Sequence, residues 1–136
     1  MKYISFATRL LLAAAAPLMA HHSFAMFDLD PKHQITMTGK VTELEWVNPH
    51  AWIHIAVKND KGAEQDWAFE MGSPGQLAAH GWTKDTVKVG DKVSVVFHPM
   101  KDGSHGGSQM SVKLANGTVM GGAGQGGAPG RRAGAD

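Results

Sequence analysis

One short helical stretch, and what stands on either side of it, constrains the fold of this chain more than any other feature. In Gly72-Ser73-Pro74-Gly75-Gln76-Leu77-Ala78-Ala79-His80-Gly81, Ser73 suits an N-cap, Pro74 the first helical position and Gly81 the C-terminal cap. The segment makes about two turns, and Gly75 weakens it slightly. The other periodic stretches read as strands, three before the helix and two with a stub after it.

The first strand is read over 35–47. Ile35, Met37 and Val41 share one phase, Leu44 and Trp46 the other, so the strand carries a bulge or bend, with Gly39 as a site for strong curvature. Asn48-Pro49 ends it, because proline cannot donate to a ladder. In the second strand, 51–57, Ile53, Ile55 and Val57 form the core face and Trp52, His54 and Ala56 the outer one. Asn59-Asp60-Lys61-Gly62 turns the chain into a third strand, 65–71, whose core row is Trp67, Phe69 and Met71. After the helix, Val93, Val95 and Phe97 face inward on a fourth strand, while Ser94, Val96 and His98 face out, and Pro99 ends it. A Gly-rich loop over 100–108 leads to a fifth strand, 109–114, with Met110, Val112 and Leu114 in phase. Asn116-Gly117 predicts a type I′ hairpin into a stub at 118–120.

Three strands, a helix, then two strands is the order of a small all-β OB-fold-like five-stranded barrel with its helix between strands three and four. An SH3-like barrel or a β-sandwich is the runner-up. The domain is drawn over 35–120, preceded by an N-terminal arm, 21–34, and followed from Gly121 by a Gly/Ala-rich flexible tail, 121–136.

Residues 1–20 read as a signal peptide. Lys2 and Arg9 supply the positive region, residues 10–16 a short apolar core, and Ala20 the small residue at the cut. That core is too short for a stable membrane span, so the chain is expected to be periplasmic or secreted. Removing Lys2 and Arg9 from the 13 basic residues leaves 11 against 12 acidic ones. A nucleic-acid surface would carry a basic excess, so no nucleic-acid partner is expected. The chain has no cysteine and so no disulfide.

Cleavage after Ala20 would leave His21 with a free α-amine, followed by His22. Amine, ring nitrogen and one further imidazole would form the three-nitrogen copper arrangement called a histidine brace. The third ligand is sought among His50, His54, His98 and His105. Imidazole and amine suit copper, with zinc behind it. A competing reading is a metal-free ligand or partner module on the outer face, where Trp46, Trp52 and His54 would stack a small sugar-like or peptide ligand. Glu43 and Glu45 read as exposed edge charges. Phosphate loop, dinucleotide fingerprint and nucleophile elbow are all missing, so no motif supports an enzyme.

Ala20-His21-His22-Ser23-Phe24-Ala25, Glu45-Trp46-Val47-Asn48-Pro49-His50-Ala51-Trp52, Glu70-Met71-Gly72-Ser73-Pro74, Gly81-Trp82, Gly90-Asp91 and His98-Pro99-Met100-Lys101-Asp102-Gly103 resemble the bacterial exported proteins of the domain-of-unknown-function 6152 family. The resemblance covers about His21 to Met120. It implies export and a small β domain and transfers no catalytic role. The copper reading comes from the residues alone.

Overall fold

A computed structural model describes residues 22–122. Six strands follow in chain order: β1 (Ile35–Glu45), β2 (Trp52–Lys58), β3 (Glu64–Glu70), β4 (Lys92–Pro99), β5 (Gly106–Lys113) and β6 (Val119–Gly121). Two short α-helices, α1 (His22–Ala25) and α2 (Pro74–Ala79), stand before β1 and between β3 and β4, and a 3-10 turn, Pro31–His33, leads into β1. The sheet order is β3-β2-β1-β4-β5-β6, and a parallel pairing of β3 with β5 closes the first five strands into a barrel. This is the predicted all-β architecture, with its helix between strands three and four.

α2 starts and stops for the reasons its sequence suggests. The Ser73 hydroxyl accepts from the Gln76 amide at 3.2 Å, and the Gln76 side chain accepts from the Ser73 amide at 3.1 Å. At the other end Gly81 adopts φ +86°, and the Gly81 and Trp82 amides donate to Ala78 O and Leu77 O. That ending drops Leu77 and Trp82 side by side into the core. The indole Nε1 of Trp82 donates to Gly121 O at 2.9 Å, so the sheet is tied down one residue past the boundary drawn at Met120. The rest of the Gly-rich stretch beyond Gly122, like residues 1–20, lies outside the described residues.

Inside the barrel Ile53, Ile55, Phe69, Val95, Phe97 and Val112 are fully buried, each on the inward phase of its strand. The phase change expected in β1 is a bulge between Val41 and Glu43, just past Gly39. Gly39 itself sits where a Cβ would come within 2.5 Å of Ala56 O, so it permits the close approach of β2. A second bulge lies on β5, where Met110 is the extra residue opposite the step from Val96 to Phe97 of β4. Gln109, not Met110, therefore stands opposite Phe97 and is buried. The Asn116-Gly117 hairpin is not type I′. That turn needs positive φ at both central residues, and only glycines have it among the described residues. Gly117 N donates to Leu114 O at 2.9 Å and Leu114 N to Thr118 O at 2.8 Å, which makes a type I turn closed by a left-handed glycine.

The N-terminal arm is part of the packed body. Asp28 N donates to Pro99 O and Lys101 N to Met26 O, with Phe27 bridged to Met100 between them. Phe27 is buried beneath this contact. His98, expected to face solvent, is 4 % exposed because the arm lies over it. Its Nδ1–H donates to Asp28 O at 3.0 Å, and Gln34 Nε2 approaches its other nitrogen at 3.3 Å.

The same Asp28 accepts from His33 Nδ1 at 2.7 Å through its carboxylate. The hydrogen bond to Asp28 raises the His33 pKa, and the same bond lowers that of Asp28. The sign follows for each group in turn. The His33 contribution is complete below the imidazole's ordinary range and is lost as pH rises through its raised value. The Asp28 contribution is present above the ordinary carboxylate range and is lost as pH falls through its lowered value. The arm should hold best in mildly acidic solution and loosen at both extremes. Hydrogen exchange of the Asp28 and Lys101 amides measured against pH will show this optimum, and His33→Ala will remove its alkaline limb.

Candidate metal site on the outer barrel face

The outer face of β1 and β2 gathers the described residues whose chemistry is least explained by folding. In β2 each buried residue alternates with a half-buried one, so Trp52 and His54 project opposite to Ile53 and Ile55. The bulge in β1 sets the register on the other side: Glu43 stands opposite His54, Leu44 opposite Ile53 and Glu45 opposite Trp52. Both glutamates thus share the face of His54. His54 Nε2–H donates to Glu45 Oε1 at 2.6 Å. Ligand atoms of Glu43, Glu45 and His54 all lie within 4.8 Å of one another.

One imidazole and two carboxylates form a mixed nitrogen–oxygen donor set suited to copper(II) or zinc. The Nε2 that would meet a metal now carries the proton held by Glu45. A metal on Nε2 would leave the ring proton on Nδ1, and the Glu45 carboxylate would turn from hydrogen-bond acceptor into ligand.

The other histidines are dispersed. His98 has both ring nitrogens engaged beneath the arm. His50 Nδ1–H donates to Met71 O at 3.0 Å, with Glu70 Oε1 at 3.5 Å. The ring of exposed His105 stacks on Trp67, with centroids 4.7 Å apart and planes 15° from parallel. His21 lies outside the described residues, and of His22 only the backbone is described. Trp46 is half-buried and packs against the core cluster, while Trp52 stays on the His54 face.

Sequence reasoning read His54 correctly as outward but set Glu43 and Glu45 aside. Their two-residue spacing announces a shared face. Which face, and against which partner, depends on a bulge whose position the hydrophobic pattern leaves open between Gly39 and Leu44.

Fold and site together define a small closed β-barrel with a His/Glu group on its outer surface. The chain belongs to a family of unknown function, DUF6152, whose sequence profile matches residues 9–109. No curated protein and no solved structure matches it.

Proposed function

We propose that this protein is a metal-binding barrel that holds copper(II), and zinc more weakly, through His54, Glu45 and Glu43. The observation that carries the reading is the convergence of the three side chains across the β1 bulge, with His54 and Glu45 already 2.6 Å apart. Copper ranks first because nitrogen–oxygen sites bind it more tightly than zinc. The leader read in residues 1–20 supports export, so the role proposed is metal holding or delivery outside the cytoplasm.

Calorimetric titration of the purified protein with copper(II) tests this. One equivalent should bind, and His54→Ala should weaken affinity by about 100-fold or more, at least the scale of losing an outer-shell partner. Unchanged affinity in that variant would sink the reading.

A second reading keeps the amino-terminal histidine. The arm is pinned at Pro99–Lys101, a few residues before His105, which supports a terminus docked near that loop. There, copper affinity would survive His54→Ala. It would instead fall when one residue is added ahead of His21.

A further inference from the structure

On the far side of the β1 bulge the same outer face changes sign. Lys40, Lys58 and Lys92 line a depression of about 400 Å³, together with Thr38, Ala56 and Glu64. A second depression of about 250 Å³ shares Thr38 and Lys92 with it and adds Ser94 and Lys113. The register explains the continuity. Lys40 stands directly opposite Lys92, and Ser94 opposite Lys113. Lys40 also faces Ala56, two residues from Lys58. Four lysines therefore stand on four neighbouring strands, β2, β1, β4 and β5, which are spaced about 4.8 Å apart.

Folding does not account for this row. Like charges directly opposite each other on a sheet destabilise it. All four lysines are exposed, and the ion pairs formed among the described residues all use histidine as the cation. Glu64 faces Lys58 in register but makes no ion pair with it among the described residues. Between the lysines lie Ala56, which leaves the floor open, and the Thr38 and Ser94 hydroxyls, 2.7 Å apart. One hydroxyl donates to the other, which keeps one hydrogen to offer a ligand.

We propose that this groove binds a soluble anion carrying adjacent phosphoryl groups. Point charges repeated at strand spacing match several oxyanion groups in series, whereas a single carboxylate would leave most of the charge unanswered. A carboxylate is also best held by the planar fork of arginine, and residues 22–122 contain no arginine. The groove begins at Lys40, before the bulge that carries Glu43, so the inference stands apart from the copper reading.

Titration with tripolyphosphate at fixed ionic strength, without added metal, tests it. Saturable binding should shift the amide resonances of Thr38, Ala56 and Ser94 and raise the thermal midpoint. Lys40→Gln with Lys92→Gln should weaken binding by about 10-fold or more, the scale of one charge-assisted contact. That double variant should melt higher than wild type when no anion is present, because the facing charges are gone. Lys32→Gln with Lys84→Gln, outside the groove, should leave binding as it was. The proposal fails if tripolyphosphate does not saturate, or if the control pair weakens binding equally. It also fails if anionic vesicles or single-stranded DNA bind while tripolyphosphate does not.

Discussion

Gly107→Ala will remove most of the stability of this protein, with an expected loss of about 3 kcal/mol or more, the upper end for overpacking a filled interior. Gly107 lies between two strands, opposite Pro99 on β4 and Phe69 on β3. A Cβ there would overlap the carbonyl oxygen of His98 and come within 2.6 Å of the Phe97 ring and 3.0 Å of the His98 carbonyl carbon. Two of these three obstacles are backbone and cannot swing aside. Gly106 meets the same obstruction from the backbone of Ala68 on the β3 side. The two glycines let β5 fit between β3 and β4, and that fit closes the barrel. With alanine at 107, β5 must retreat, and the pairings of Ser108 with His98 and Glu70 go with it. Urea unfolding gives the measurement, and Gly75→Ala provides the contrast. Nothing lies within 4 Å of a Cβ at Gly75, in α2, so alanine there should stabilise by about 0.5–1 kcal/mol. A Gly107→Ala midpoint close to wild type would mean that closure tolerates a wider β4–β5 spacing.

The barrel was legible because its signals are local. Alternation in 53–57, the capping residues around α2 and the Asn59–Gly62 turn each state their own geometry within a few residues. The phase conflict in β1 also announced a bulge. What stayed hidden depends on contacts distant in sequence. His98 sits on an outward phase, and the arm covers it through Asp28, 70 positions earlier, and Gln34. Gln109 has the polarity of a surface residue. The bulge beside Phe97 turns it inward, where its amide has no partner among the described residues. The turn at Asn116 departs from the type I′ expectation for a different reason. Asn-Gly favours a turn strongly, but the dipeptide fits both a two-residue loop and a longer one, and the hydrogen bonds of Leu114 decide between them.

The site was half legible for the same reason. Outward phase identifies His54 from β2 alone, whereas the partnership with Glu45 needs the register between two strands. That register also divides the face. Up-chain of the bulge β1 presents Lys40 outward, and down-chain it presents Glu43 and Glu45. One inserted residue therefore separates an acidic end from a basic end along a single strand. Removing the bulge would turn Glu43 and Glu45 into the core and Leu44 out of it. The packing of Leu44 against the core cluster thus holds the proposed metal ligands in place.

The second large effect is expected at Phe97. Its ring is fully buried and lies 4.6 Å from that of Phe69 and 5.9 Å from that of Trp67, which is stacked beneath His105. Truncation to alanine removes an aromatic from the centre of this cluster. Such changes cost about 3–5 kcal/mol, set by how far the surroundings collapse. Collapse is restricted here, because closure by Gly106 and Gly107 fixes β5 against both neighbours. Gln109 works the other way. Its amide has no partner among the described residues and Gln109 stands opposite Phe97, so the new cavity will have a polar wall able to bind water, unlike a purely apolar void. The loss should therefore fall near 3 kcal/mol, toward the lower end of the range. Phe97→Leu, which keeps most of the volume, should lose about half as much or less. Urea unfolding of both variants gives the two values. The Trp67 fluorescence will report whether His105 still covers the ring when Phe97 no longer supports it. Equal losses from alanine and leucine would show that ring-to-ring contact, rather than filled volume, carries the stability of this cluster.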